Sequence, residues 1–123
     1  MRVLVIDDSR AMRSILTKIM SEIGFDVVTA AHGREGLDRL EEDDGISLVL
    51  VDWNLPEMNG YEFVTAVRSA PEYDDVRLIM VTTETERASV TKALEAGVDE
   101  YVMKPFTKAT ILEKLSLLGL TQG

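Results

Sequence analysis

Two kinds of apolar pattern alternate along this chain, and that alternation limits its fold more than any other feature. Short β-branched runs ("RVLVI", residues 2–6; "FDVVTA", 25–30; "SLVLV", 47–51; "VRLIMV", 76–81; "EYVM", 100–103) are separated by segments of helical period. The clearest helical stripe is Met12, Ile15, Leu16, Ile19, Met20 and Ile23, spaced i, i+3, i+4, i+7, i+8, i+11. Ser9 is placed to cap its start and Gly24 to end it. Leu37 and Leu40 mark a short helix over 33–42. Asn59-Gly60 marks a turn before a face of Phe63, Val64 and Val67. A helix is expected over 85–96, with Val90, Ala93 and Leu94 inward and Gly97 as its stop. A last helix over 107–118 carries Ile111, Leu112, Leu115 and Leu118.

Runs such as "SLVLV" are apolar from Leu48 onward without alternation, which suits a strand covered on both faces. Five strands alternating with five helices predict an α/β fold, a (βα)5 doubly wound parallel sheet with right-handed crossovers. At 123 residues the chain is long enough for one domain with one core. Sheets of this kind bind ligands beyond the carboxyl ends of their strands. Asp7 and Asp8 follow the first strand, Asp52 the third, Thr82 the fourth and Lys104 the fifth. Five polar groups from four strands are therefore expected on one rim.

Taken singly, each has an ordinary explanation. An aspartate after a strand is often a turn former or a helix cap. Thr82 alone is a β-branched strand residue, and Lys104 before Pro105 alone is a loop lysine. Together they suggest chemistry. Three close carboxylates repel unless a cation neutralises them. A hard divalent ion such as Mg²⁺ takes oxygen ligands and keeps several waters, leaving room for a phosphoryl oxygen. A lysine, a hydroxyl and a nucleophilic aspartate complete a set suited to an aspartyl-phosphate.

Composition removes other classes. The formal net charge of −9 disfavours direct nucleic-acid binding. With no cysteine there is neither a disulfide framework nor a thiolate metal site. No apolar run is long enough for a membrane span, so no membrane association and a cytoplasmic location are expected. Neither G-x-x-x-x-G-K-[ST] nor G-x-G-x-x-G occurs.

The motifs "VLVIDDSRAMR", "LVLVDWNLPEMNGYEFV", "LIMVTTE" and "AGVDEYVMKPF" resemble the receiver domain of two-component response regulators, most closely the single-domain chemotaxis regulators of the CheY type. The resemblance spans nearly the whole chain. It implies the flavodoxin-like strand order 2-1-3-4-5, one receiver domain over 1–123 and no output domain. It implies Asp52 as phosphoacceptor, and Asp8, Asp52 and the Asn54 carbonyl as Mg²⁺ ligands, with Asp7 acting through a metal-bound water. Mn²⁺ could substitute. Lys104 would pair with the phosphoryl group and Thr82 would hydrogen-bond it, with Tyr101 turning inward in response. The Lys104-Pro105 bond is expected to be cis. Asn54 and Glu84 would tune hydrolysis, and Thr83, where many relatives carry a smaller residue, would narrow access. Val90, Tyr101, Met103 and Lys114 would form the partner face.

Implied partners are a histidine kinase similar to CheA and a flagellar motor switch protein, with this chain a monomer and not a dedicated enzyme. Alternatives are a stand-alone receiver in another phosphorelay, a receiver-like binding module that needs no phosphate, or a small Mg²⁺-dependent phosphatase. The phosphatase reading is disfavoured, because haloacid dehalogenase-like enzymes use a second aspartate where Asn54 stands, and Asn54 cannot serve as general acid. Trp53 is expected to be exposed or half-packed, and His32 to lie at the surface.

Overall fold

The computed structural model describes residues 1–86 and 88–120, and only the backbone of Glu84. Strands β1 (Arg2–Ile6), β2 (Asp26–Ala30), β3 (Ile46–Asp52), β4 (Arg77–Thr83) and β5 (Glu100–Lys104) alternate with helices α1 (Arg10–Ile23), α2 (Gly33–Glu42), α3 (Gly60–Arg68), α4 (Ser89–Ala96) and α5 (Lys108–Leu117). The strands form one parallel sheet in the order β2-β1-β3-β4-β5, as expected. Chain order reverses between β1 and β3, so the crevice of this fold opens above those two strands.

Side chains of a strand alternate between faces, and the core divides accordingly. Leu4, Ile6, Val49, Val51, Leu78 and Met80 point to one side, beneath Leu40 of α2, Phe63, Val64 and Val67 of α3 and Ala93 of α4. Val3, Val5, Leu48, Leu50, Ile79 and Val81 point to the other, beneath Leu16 and Met20 of α1 and Ile111 and Leu115 of α5. The central strands are thus sandwiched, which is why Leu48–Val51 and Leu78–Val81 are apolar without interruption.

Local chemistry sets the helix ends. The Ser9 hydroxyl accepts from the Met12 N–H at 3.2 Å, and Gly24 closes α1 with φ +116°, a conformation that disfavours any Cβ. Asn59-Gly60 is a helix start rather than a free turn. Asn59 caps α3 through the Glu62 N–H at 2.9 Å, and Glu62 accepts from the Asn59 N–H at 3.2 Å, a reciprocal capping box.

Three expectations need correction. The segment after β4 is a 3-10 turn over Glu84–Glu86 followed by α4 from Ser89, so the helix expected from 85 begins later. Leu94, expected inward, is exposed, as is Ile15 of α1. For α4 the cause is position, since β5 is the edge strand and no sheet lies beyond it to cover Leu94. His32 is half-buried rather than a free surface residue. It caps α2, its Nδ1 accepting from the Glu35 N–H at 3.2 Å.

Candidate functional site

Strand register assembles the rim. Ile6 pairs with Val51, so Asp7 and Asp52 emerge side by side. Asp52 pairs with Val81, which brings Thr82 one step beyond it. Thr82 pairs with Met103 and Thr83 with Lys104, which carries Lys104 to the same end of the sheet. Asp8 extends outward from the same loop and is exposed. Carboxylate oxygens of Asp7, Asp8 and Asp52 all lie within 4.8 Å of one another.

The environment of these groups is uneven. Asp7 is 1% exposed and Asp52 6%. One oxygen of Asp7 accepts from the Ser9 N–H at 2.8 Å, and one oxygen of Asp52 accepts from the Asn54 N–H at 3.1 Å. Their other oxygens face Lys104, whose Nζ lies 3.5 Å from Asp7 Oδ2 and 3.6 Å from Asp52 Oδ2. One ammonium is thus stretched between two carboxylates at ion-pair rather than hydrogen-bond distance. Asp7 Oδ2 has no hydrogen-bond partner, and neither does Thr82 Oγ1, although Thr82 is fully buried. Burial pushes the Asp52 carboxyl up to about 6; Asp7 and Asp8 add to the rise, while the Asn54 N–H and Lys104 oppose it.

These features fit a hard divalent cation. Octahedral oxygens about 2.1 Å from an Mg²⁺ stand roughly 3–4 Å apart, a spacing the three carboxylates reach with little movement. A cation there would satisfy the orphaned Asp7 oxygen and offset the burial of Asp52. The orphaned Thr82 hydroxyl is a donor without an acceptor, positioned to accommodate a new oxygen at the rim.

The remaining candidates are spread around the rim. Asn54 is exposed in the loop after β3. The Lys104–Pro105 peptide is cis. The Thr83 hydroxyl lies 2.8 Å from the Thr85 hydroxyl and 3.1 Å from Glu86 Oε1. The side chain of Glu84 lies outside the described residues. Tyr101 is half-buried on β5, with Lys114 Nζ 4.5 Å above its ring and paired to Glu100 at 3.3 Å. Val90 and Met103 are also half-buried.

Trp53, expected to be exposed or half-packed, is instead buried at 8% exposure, because Gly60 lets the loop fold tightly over it. Sequence patterns also missed one feature. Arg13 reaches back from α1 to donate to the Asp7 carbonyl at 2.7 Å, bracing the loop that carries both acids. Its only sequence signal is a basic residue one turn into α1.

Similarity to known proteins agrees with this geometry. The response regulator receiver domain matches residues 3–116. The chain is 45% identical over 125 residues to a chemotaxis protein CheY homolog of Campylobacter jejuni, spanning 100% of this chain and 96% of that protein. It is 42% identical over 119 residues to the chemotaxis protein CheY1 of Helicobacter pylori, with 96% of each chain covered. Among solved structures, the chemotaxis response regulator CheY4 of Vibrio cholerae superposes with a TM-score of 0.87 at 33% identity, over 95% of this chain and 97% of that one.

Proposed function

Because the chain belongs to the response regulator receiver family and is homologous to CheY chemotaxis regulators, we propose that Asp52 is its phosphoacceptor and that the rim around it is a phosphorylation switch. Receiver domains of this type work with histidine kinases and downstream targets, as signalling switches rather than dedicated enzymes. The observation that carries the assignment is the pair of buried, unpartnered atoms, Asp7 Oδ2 and Thr82 Oγ1, on either side of Asp52. Unsatisfied buried polar groups persist where another state supplies their partners.

In this reading Asp52, Asp8 and the Asn54 carbonyl would hold Mg²⁺, or Mn²⁺ in its place, with Asp7 acting through a metal-bound water. The bound ion supplies charge neutralisation for an incoming phosphoryl oxygen. Asp52 Oδ2 attacks phosphorus in line. The bond to the donor histidine nitrogen breaks, its electron pair stays on the imidazole, and an O–P bond forms. Lys104, already within ion-pair reach of Asp52, follows the negative charge onto the phosphoryl oxygens. Thr82 gains an acceptor for its hydroxyl, and its movement opens space beside β5 for Tyr101. The face of Val90, Tyr101, Met103 and Lys114 then changes shape. Asn54, Thr83 and Glu84 would tune the lifetime of the phosphoryl group.

The named relatives are chemotaxis proteins, which favours a CheA-like kinase and a flagellar motor switch protein as partners. We take the chain to act as a cytoplasmic monomer. Among the described residues no helix is long and apolar enough to cross a membrane.

Intact mass after treatment with acetyl phosphate tests the assignment. An adduct that requires Mg²⁺, is labile to acid and base, and is lost in Asp52→Asn is expected. No adduct in the wild-type chain under any condition would overturn it.

A further inference from the structure

Trp53, next in sequence to Asp52, is held on both sides of its peptide. Its N–H donates to the Val81 carbonyl at 3.0 Å, and its carbonyl accepts from the Gly60 N–H at 3.1 Å. The approach to Gly60 is so close that a Cβ there would lie 2.7 Å from Trp53 Cε3 and 2.8 Å from its Cα. The start of α3 is therefore fixed directly to the residue beside the phosphoacceptor. Tyr61, the next residue, meets the indole edge-on, with ring centroids 6.3 Å apart at 83°. Over the same phenol ring stands Lys92 of α4, its Nζ 4.6 Å from the centroid. Contacts run without a break from Asp52 through Trp53 and Tyr61 to α4.

Helix α4 depends on such contacts more than its neighbours do. Helices α1, α2, α3 and α5 each begin on a residue whose side chain caps the first turn. The described start of α4, at Ala88, has no side-chain cap and no acidic residue in its first turn. Ala93 is its only fully buried residue. With little local sequence to fix its N-terminus, its position is set by what its side chains touch on α3.

We infer that the Tyr61–Lys92 contact is a resting-state tether that couples the position of α4 to the occupancy of Asp52, apart from any route through Thr82 and Tyr101. The inference rests on the reading of Asp52 as phosphoacceptor. A bistable α4 biased from both ends requires reciprocity: releasing the helix must ease loading of the rim by the same factor by which loading eases release of the helix. A partly exposed lysine over a tyrosine ring accounts for roughly a two- to five-fold change in such an equilibrium.

Beryllofluoride with Mg²⁺ is a phosphoryl mimic that reads this coupling by calorimetric titration. The set comprises the wild-type chain, Lys92→Met, Tyr61→Leu, the double variant, and the conservative Lys92→Arg and Tyr61→Phe. Lys92 is exposed, so Lys92→Met keeps the fold even where Tyr61→Leu disturbs Trp53. The expected result is roughly two- to five-fold tighter binding in Lys92→Met and Tyr61→Leu, no further gain in the double variant, and wild-type affinity in Lys92→Arg and Tyr61→Phe. Unchanged or weaker binding in Lys92→Met, with the wild-type chain binding normally, overturns the tether alone. A wild-type chain that does not bind beryllofluoride overturns the phosphoacceptor reading and the tether with it.

Discussion

The two ends of the sheet are built from similar polar material and treat it in opposite ways. At the amino end, Arg68 of α3 is part-buried and every arm of its guanidinium is engaged. Nε donates to the Gly97 carbonyl at 2.9 Å, one terminal nitrogen to the Tyr73 carbonyl at 3.1 Å, and the other to the Val76 carbonyl at 2.8 Å and to Asp99 Oδ2 at 2.9 Å. Asp99 also accepts from the Leu78 N–H at 2.8 Å. One fork thereby joins α3, the turn before β4, β4 itself and the end of α4. At the carboxyl end, one lysine is shared by two acids, and two buried oxygens have no hydrogen bond. The first arrangement serves stability. The second leaves Asp7 Oδ2 and Thr82 Oγ1 buried without a hydrogen-bond partner, which the proposed phosphorylation switch would supply.

Breaking the satisfied end has the largest expected effect. Arg68→Ala strands three carbonyls, takes away one partner of the Asp99 carboxylate, and should lower unfolding stability by about 3 kcal/mol, read from the urea midpoint. An equal loss from Lys104→Ala, without Mg²⁺, would erase the contrast.

Relieving the unsatisfied end should raise stability. The carboxyl of Asp52 sits at about 6 in the folded chain against 3.8 as its ordinary value. Its folded form binds the proton more tightly, so the contribution of Asp52 to stability is highest below pH 4, falls as pH rises through about 6, and is lowest above it. The whole effect is at most roughly 3 kcal/mol. Asp52→Asn should therefore stabilise the metal-free chain at pH 7 by about 2 kcal/mol, and thermal melts from pH 4 to 7 should lose that decline. A destabilised Asp52→Asn would show that Lys104 already compensates the burial.

Mg²⁺ sharpens the same contrast. At a hundred times its dissociation constant it should add about 2.7 kcal/mol to the wild-type chain, reversed by EDTA, and less to Asp52→Asn. Arg68→Ala should gain as much as wild type, since that arginine lies at the far end of the strands.

The smallest change concerns Thr82. Thr82→Val keeps the shape and removes a hydroxyl with no partner in the resting chain, so stability should move by less than about 1 kcal/mol in either direction. Its consequence should be confined to the loaded state, as weaker retention of beryllofluoride in the titration described above.

Much of this was legible in the residues. The unalternating apolar stretches of β3 and β4 announced a sheet covered on both sides, and the stripe from Met12 to Ile23 announced α1. The polar residues at four strand ends announced the rim, because parallel strands in near register must deliver their ends to one place. Errors arose where burial depends on neighbours distant in sequence. Leu94 fits the helical period and is exposed because the sheet stops at β5. Trp53 offered no pattern and is buried because Gly60 lets α3 close over it. His32 looked like a loop residue and caps a helix.

The sequence by itself determined the order of elements, the face each strand turns to each helix layer and the identity of the acids, lysine and threonine at the rim, since periodicity and strand-end position are local properties. Only the tertiary structure decided which of those groups are left unsatisfied, how far burial raises Asp52, and that Tyr61 meets both Trp53 and Lys92. Desolvation and ring contacts depend on what the rest of the chain brings within a few ångströms, and no local pattern carries that information.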